Sequence, residues 1–232
     1  QQDLLLATLS HLIWKCALGV AASPVLAVAA AMNIRTLLVA TANAHKTQEI
    51  QAMLGDSWKV EDLSAHPHLP SPEETGDTFE ANARIKAEAA SAALPNHLVL
   101  ADDSGLEVDP LGNAPGVRSA RYAGPEASDA DNRVHLQANL AHVSQDQDGG
   151  WGARFRCTMA IARDGETLAV FDGAVEGKII PLEQGQGGFG YDPLFVPAGF
   201  TDTFGVLPSE VKNQLSHRAR ALQQARSFLD KV

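Results

Sequence analysis

The chain has little cysteine, since only Cys16 and Cys157 occur among its 232 residues, far apart and without a C-x-x-C pair. A disulfide framework or a thiolate zinc site needs several cysteines at suitable spacings, so the sequence excludes both. Unpaired cysteines are typical of proteins that work in a reducing compartment. We therefore expect a cytoplasmic protein.

The chain also lacks an excess of positive charge, because 18 basic residues stand against 28 acidic ones and the formal net charge is −10. This balance argues against nucleic acid or an anionic membrane surface as a partner. A negatively charged substrate would need local groups that offset the repulsion. These groups could be a few well-placed lysines and arginines, backbone amides, or a divalent cation.

Long hydrophobic runs are scarce as well. The uncharged stretch 16–34 is rich in small residues, is interrupted by Pro24 and has only Lys15 as a basic flank. A membrane-spanning helix needs about 20 predominantly apolar residues, and this stretch meets that test poorly. We interpret residues 1–31 as an upstream or added extension, with the functional protein starting near Met32 and residues 32–232 forming a single domain.

The rest of the chain alternates between strand and helix patterns. Short apolar runs between turn residues predict strands, and apolar positions repeated every three to four residues predict helices. Strands are predicted over 36–41, 58–63 and 98–101, and helices over 47–54, 77–93, 128–143 and from residue 216 towards the C-terminus.

Asp77 and Glu80 form a capping-box pattern, with Asn82 and Lys86 one turn apart on the same helix. Asp164-Gly165 predicts a hairpin of antiparallel strands over 155–162 and 167–171. The order of elements indicates an α/β fold with a mixed sheet and flanking helices.

An acidic pair, Asp102-Asp103, follows the predicted strand 98–101, at the end where open α/β sheets bind ligands. Together with Glu73 and Glu74, the pair offers the carboxylate oxygens that Mg²⁺ uses when it also contacts waters and substrate phosphates. A solvated turn is the alternative interpretation. We favour the metal site because adjacent acids at the end of a buried strand repel each other unless a cation relieves the repulsion.

A possible phosphate-binding turn lies between the first strand and the first helix. Thr41, Asn43 and Lys46 occur there, where backbone amides and a lysine can hold a triphosphate. An ordinary turn that contains asparagine and a surface lysine has the same pattern. This motif alone therefore does not distinguish the two, and the other motifs of the chain are what favour a phosphate-binding turn.

Two later segments suit a purine base. The glycine-rich segment 185–192 satisfies G-x-G-x-x-G, but Pro193 prevents a helix from opening there, which excludes a dinucleotide-binding fold. Its aromatic residues, Phe189 and Tyr191, could stack on a purine base. The alternative is that they are core residues beside a glycine-rich surface turn. Lys212, His217 and Arg218 bracket the start of the last helix, either as donors to purine oxygens or as an ordinary solvated helix end.

Five segments, taken in order, resemble the inosine triphosphate pyrophosphatase family. They are TLLVATANAHKTQEI, EETGDTFEANARIKAEAA, LADDSGLEVDPLGNAPGVRSARYAG, GGFGYDPLF and SHRARAL. The resemblance covers the chain from residue 34 to the C-terminus, and it implies an elongated mixed α/β structure with two lobes around an active-site cleft, usually as a homodimer. It also implies Mg²⁺-dependent hydrolysis of aberrant purine nucleoside triphosphates (ITP, dITP and XTP) to the monophosphate and pyrophosphate. In that reaction a metal-bound water attacks the α-phosphorus.

The resemblance also implies roles for individual residues. Asp103 matches the general base and a metal ligand, and Glu74 matches the second metal ligand. The residues that match substrate contacts are Thr41, Ala42, Asn43, Ala44, His45, Lys46, Lys86, Ser104, Phe189, Gly190, Tyr191, Asp192, Lys212, His217 and Arg218. The family usually has glycine where Ala42 and Ala219 stand here, which raises the question of how closely the backbone at Ala42 can approach a phosphate.

Two other functions fit parts of the pattern. One is a related hydrolase that cleaves modified pyrimidine nucleotides on a similar two-lobed fold. The other is a regulatory module that senses purine nucleotides without cleaving them. The acids Asp102, Asp103 and Glu74 argue against a sensor, which has little need of paired carboxylates.

Overall fold

The computed structural model describes residues 35–69 and 72–232. The expected extension over residues 1–31 and the start near Met32 lie outside the described residues. The described part of the chain forms six strands and five α-helices. The strands are β1 (Arg35–Val39), β2 (Trp58–Asp62), β3 (Val99–Val108), β4 (Trp151–Arg163), β5 (Glu166–Ile179) and β6 (Phe195–Pro197). The helices are α1 (Ala44–Leu54), α2 (Phe79–Ala93), α3 (Asp129–Leu140), α4 (Ser209–Leu215) and α5 (His217–Leu229).

The six strands form one sheet in the order β2-β1-β3-β4-β5-β6. β1 runs parallel to β3, whereas β4 is antiparallel to both of its neighbours and β6 is antiparallel to β5. The mixed sheet with flanking helices confirms the predicted α/β class. The hairpin prediction is also confirmed, because Arg163 pairs with Glu166 across Asp164-Gly165, and both turn residues have positive φ.

The third strand differs from its predicted extent of 98–101. β3 continues for ten residues to Val108, because every residue from Val99 onward finds a partner on β4. Asp102 and Asp103 therefore lie inside β3 rather than at its end. They do lie beyond the end of β1, whose last partner on β3 is Leu100. The acids thus face the space that β1 leaves when its chain turns into α1.

Several helix ends also differ from the predictions. α2 begins at Phe79 with Thr78 as its N-cap, whose hydroxyl accepts from the amide of Ala81, so the capping box at Asp77 is wrong by one residue. α4 was not predicted, and α3 ends at Leu140 instead of residue 143. Ser216 caps α5 as predicted.

The buried core divides into regions on either side of the acidic pair. Period-2 alternation places Leu37 and Val39 of β1 against α1 and α5, and Leu38 and Ala40 against α2. A further cluster packs α3 against the distal halves of β3 and β4, and it includes Leu106, Val108, Leu136, Leu140, Trp151 and Phe155. Residues 102–104 lie between these regions. The division into two lobes stays a prediction.

Candidate active site

A cleft of about 510 Å³ opens where the chain passes from β1 into α1. Its walls come from this turn, from the segment before α2 and from the 3₁₀ helix Gly116–Arg121. We call it the phosphate cleft. The predicted site residues that line it are Thr41, Ala42, Asn43, Lys46, Glu74 and Lys86, and the exposed Glu73 lines it too.

Asn43 organises the turn at the base of this cleft. Its side-chain oxygen accepts from the amides of His45 (2.9 Å) and Lys46 (3.4 Å), and its own amide donates to the Thr41 hydroxyl (3.1 Å). This capping starts α1 at Ala44, three residues earlier than predicted. Two amides at the helix start are thus already satisfied. Ala42 is not among the positive-φ residues of the described chain, so its conformation does not require the glycine usual in the family.

Lys86 links the acids on either side of the phosphate cleft. Its ammonium donates to Glu74 Oε1 (2.9 Å), to Asp103 Oδ1 (2.8 Å) and to the backbone oxygen of Asp102 (2.9 Å). Asn82, one turn earlier on α2, donates to Asp103 Oδ2 (3.4 Å), as its spacing from Lys86 predicts. Glu74 and Asp103 therefore share one cation, and both oxygens of Asp103 are oriented from α2.

The three charged groups titrate differently because their surroundings differ. Burial, assisted by the nearby Glu74, raises the pKa of Asp103 despite the opposing effect of Lys86. Burial also acts on Glu74, but Lys86 and Arg121 outweigh it and lower the pKa of that carboxyl. Burial opposes the charge of Lys86, yet Asp103 and Glu74 raise its pKa overall. The site thus favours the protonated form of Asp103 and the ionised form of Glu74, each relative to its ordinary state.

Asp102 has a different environment from its neighbour. It is 1 % exposed and forms ion pairs with Lys46 through Oδ1 and with Arg218 through Oδ2 (2.9 Å). Burial alone would raise its pKa, but Arg218 and Lys46 hold the pKa well below the usual range. The solvated-turn interpretation is wrong for both acids, since Asp103 is buried as well. Asp102 is thus paired with two cations.

The cations at the C-terminal end are buried rather than solvated. Lys212 bonds to Glu49 Oε1 (2.8 Å) and to Asp192 Oδ2 (2.5 Å), and Arg218 bonds to Glu49 Oε2 (2.6 Å). The ordinary helix-end interpretation of these residues is therefore wrong. Sequence reasoning missed Glu49, although its position one turn after Lys46 on α1 was a usable signal.

A narrow second cavity of about 110 Å³ adjoins the phosphate cleft. We call it the base pocket. The predicted site residues that line it are Asn43, Lys46, Ser104, Phe189, Gly190, Tyr191, Asp192, Lys212, His217 and Arg218. Asn43, Lys46 and Ala120 line both cavities, so the two are adjacent at the turn before α1. Three of the predicted residues, Ala44, His45 and Asp103, line neither cavity. His45 lines a separate cavity together with Phe189, and Asp103 is joined to the phosphate cleft through its bond to Lys86.

Aromatic and polar groups meet in the base pocket. The Phe189 ring stacks on His45 at 5.4 Å, and the Lys212 ammonium lies 4.5 Å from the centre of the same ring. Tyr191 is buried and donates to the backbone oxygen of Ser119, so its ring is part of the framework. Asp192 shapes the glycine-rich loop by accepting from the amide of Phe189 (2.9 Å).

His217 adds an unsatisfied group to this pocket. It stacks on Phe155 at 4.9 Å, and among the described residues its Nδ1 has no hydrogen-bond partner. Burial, together with the positive charges of Arg218 and Lys212, lowers its pKa well below the usual value. The ring is therefore neutral and presents one free nitrogen.

Within residues 35–69 and 72–232, no three or more histidine, cysteine, aspartate or glutamate side chains are grouped so that they could hold a metal ion. No helix in these ranges is long and apolar enough to cross a membrane.

Comparison with known proteins gives consistent matches. The model of the Ham1 family matches residues 37–228. A dITP/XTP pyrophosphatase of Listeria monocytogenes serotype 4b is 44 % identical over 197 residues, which cover 84 % of this chain and 95 % of the relative. One from Streptococcus thermophilus strain CNRZ 1066 is 46 % identical over 189 residues, or 81 % of this chain, and the match spans only 57 % of that relative. The structure of the Staphylococcus aureus Ham1 protein superposes with a TM-score of 0.72 at 39 % identity, covering 85 % of this chain and 99 % of that one.

Proposed function

The chain belongs to the Ham1 family, and from this membership we propose that it is a nucleoside triphosphate pyrophosphatase. Its substrates are noncanonical purine nucleotides, namely ITP, dITP and XTP, and its products are the monophosphate and pyrophosphate. The names of the listerial and streptococcal relatives support the substrate class. The activity makes the chain a hydrolase that acts on acid anhydrides.

One observation carries the proposal: a small pocket with an aromatic wall and a cation-lined cleft lie side by side and share Asn43 and Lys46. A purine in the pocket would extend its phosphates past Lys46 into the cleft that holds Glu74 and Lys86. Asp103, bonded to Lys86, lies beside this path. This is the arrangement that cleavage near the α-phosphorus requires, because the base and the tail must be held on either side of the reacting atom.

Mg²⁺ is the divalent ion that we propose for the cleft. Mg²⁺ needs only one or two carboxylates when waters and phosphate oxygens complete its shell, so a site with fewer than three protein acids still suits it. Glu74 and Asp103 fit this donor set, since both already point at a single positive charge on Lys86. When bound, the ion neutralises phosphate charge and activates a water.

In the proposed hydrolysis, residues of the chain accept a proton from the attacking water and stabilise the charge on the phosphates. A water oxygen attacks the α-phosphorus, its proton passes to Asp103, and the bond to the bridging oxygen of the β-phosphate breaks as pyrophosphate leaves. The raised pKa of Asp103 suits it for taking this proton, and Lys86 and Asn82 fix its orientation. Lys46 and Lys86 stabilise the charge that spreads over the phosphates.

Selection for a 6-oxo purine follows from donors in the base pocket. Lys212 uses two of its three N–H groups on Glu49 and Asp192, which leaves one for the substrate. A 6-amino group presents a donor where the pocket also presents donors, and buried donors left unpaired reduce binding. A homodimer and a cytoplasmic location stay predictions of the sequence.

A panel of nucleoside triphosphates with product analysis tests the proposal. ITP, dITP and XTP should yield the monophosphate and pyrophosphate, at rates well above those for ATP. Preferred cleavage of modified pyrimidine nucleotides would favour the related hydrolase. Binding of ITP in Mg²⁺ without turnover would favour the regulatory module.

A further inference from the structure

The glycine-rich segment 185–192 contributes Phe189 to the base pocket but buries little of its chain up to that residue. Residues 185–188 are exposed, and Phe189 is half-buried. Gly188 and Gly190, on either side of Phe189, have positive φ (70° and 60°), a region that glycine enters without strain. A glycine-rich backbone has many other conformations open to it. Burial alone therefore does not hold the Phe189 ring in one place.

Two side chains of α3 hold the backbone directly after Phe189. The amide of Gly190 donates to Asp129 Oδ2 (2.7 Å), and the carbonyl oxygen of Gly190 accepts from Arg133 Nη1 (2.9 Å). Asp129 and Arg133 are one helical turn apart, so they lie on the same face of α3. We call this pair the α3 clamp. Together with the bond from the Phe189 amide to Asp192, the clamp determines where Phe189 projects.

The helix that carries the clamp is itself anchored to the core. Leu136 and Leu140 are fully buried in the cluster that packs α3 against β3 and β4. Asn132 is buried as well, and it accepts from the amide of Ala123 (2.9 Å) and donates to the backbone oxygen of Ala120 (3.1 Å). The clamp therefore connects the glycine-rich segment to a rigid part of the molecule.

Arg133 is held in its bonding conformation by a second partner. Its Nε donates to Glu183 Oε1 (2.9 Å), and its side chain is 16 % exposed. The guanidinium has five N–H groups in a fixed plane, so one arginine can bond to Glu183 and Gly190 at once. Asp129 lines the base pocket, whereas Arg133 does not. Arg133 can therefore affect a bound base only through the backbone that it holds.

A fixed position for Phe189 lowers the entropic cost of binding a base. Without the clamp, a purine would have to select the one backbone conformation in which the ring meets it, and this ordering would reduce the affinity. The clamp holds that conformation before the ligand arrives. The gain is limited to ligands that contact Phe189. A ligand of the phosphate cleft, which Phe189 does not line, gains nothing.

We propose that the α3 clamp positions the purine base, by holding Gly190 so that Phe189 meets the base in a preformed pocket. The inference rests on the proposed function, since it concerns how the same site binds its base. The clamp residues are positioning residues, because they act through Gly190. Gln137 lies one turn after Arg133 on the same face of α3 and donates to the backbone oxygen of Pro181 (2.9 Å), outside the glycine-rich segment. Gln137 therefore provides a matched control.

Calorimetric titration of the whole chain with IMP, and separately with pyrophosphate in Mg²⁺, tests the proposal. Arg133→Ala should weaken IMP binding about tenfold, because a charge-assisted hydrogen bond and the preformed pocket are lost. It should leave pyrophosphate binding unchanged, which also shows that the variant is folded. Arg133→Lys keeps a donor and should recover part of the loss. Gln137→Ala should bind both ligands as the wild type does.

Kinetics with ITP separate the positioning of Phe189 from a general structural role. Arg133→Ala should raise KM about tenfold and leave kcat nearly unchanged. Added to Phe189→Ala, the same substitution should cause little further loss of kcat/KM, because the ring that the clamp positions is already gone. An equal loss in both backgrounds would overturn the proposal. Equal losses for IMP and pyrophosphate, or an equal loss of IMP binding in Gln137→Ala, would also overturn it.

The two titrations and the ITP assay also distinguish failure of the clamp from failure of the proposed function. If the wild type releases pyrophosphate from ITP but Arg133→Ala binds IMP as tightly as the wild type, the clamp is wrong and the proposed function stands. If the wild type does not cleave ITP but Arg133→Ala loses IMP affinity alone, the proposed function fails and the clamp stands.

Discussion

At the scale of single residues, two adjacent aspartates perform different tasks because β3 turns them to opposite faces of the sheet. Asp102 pairs with Lys46 and Arg218, which hold its pKa low, whereas Asp103 bonds to Lys86 at a buried position that raises its pKa. The sequence predicted an acidic pair beside a ligand site. The family resemblance assigned a role to Asp103 alone. The residue pattern did not distinguish the two acids, because their partners come from distant segments.

This contrast predicts opposite outcomes for two isosteric substitutions. Asp103→Asn should lower kcat on ITP by about 10²- to 10⁴-fold, the usual contribution of a positioned base, with little change in unfolding free energy. Asp102→Asn should reduce the unfolding free energy by about 3–5 kcal/mol, because Arg218 and Lys46 are left as buried charges without their partner. Steady-state kinetics and urea unfolding check the pair. Asp202, exposed and outside both cavities, provides the control Asp202→Asn. Full activity in Asp103→Asn would contradict the assignment.

His217 predicts a pH dependence of stability. Its folded pKa lies far below the value of about 6.5 in an unfolded chain, so below that pH the unfolded state binds a proton that the folded state does not. Stability should therefore fall as the pH decreases from 6.5. Between pH 6.5 and 5, His217→Gln should lose about 2 kcal/mol less of its unfolding free energy than the wild type does. His68→Gln, at an exposed position, should follow the wild type. Identical pH slopes in all three proteins would show that His217 is protonated in the fold.

At the scale of elements, turn and capping motifs predicted the ends of strands and helices correctly where a few neighbouring residues determine them. Asp164-Gly165 predicted the β4–β5 hairpin, and Ser216 predicted the start of α5. The length of β3 was missed because it depends on pairing with β4, which lies about 50 residues away. α4 was missed because its seven residues are too few for a clear apolar period.

The start of α1 predicts a measurable effect of its cap. Asn43→Ala removes the acceptor of the amides of His45 and Lys46 and should lower the unfolding free energy by about 1 kcal/mol. It should also weaken ITP binding, because the turn between the two cavities loses the side-chain hydrogen bonds that hold its conformation. Asn43→Asp keeps an acceptor and should preserve stability. Urea unfolding of the three proteins checks the effect, and an unchanged Asn43→Ala protein would contradict the role of the cap.

At the scale of the whole described molecule, the site is collected from segments far apart in the chain. Arg218 reaches Glu49, 169 positions away, and Asp102, 116 positions away. Resemblance to a family found most of the residues that line the two cavities, because such residues carry recognisable strings. The resemblance did not reveal the buried ion pairs that Lys46, Lys212 and Arg218 form. Hydropathy predicted the opposite, since lysine and arginine are ordinarily exposed.

At the same scale, the two adjacent cavities lead us to propose that water attacks the α-phosphorus of a bound purine nucleoside triphosphate. Hydrolysis of ITP in ¹⁸O-labelled water, followed by mass spectrometry of both products, tests this claim most directly. We predict that the label appears in IMP and that the released pyrophosphate carries none. Label in pyrophosphate, or the appearance of IDP and inorganic phosphate, would contradict the account.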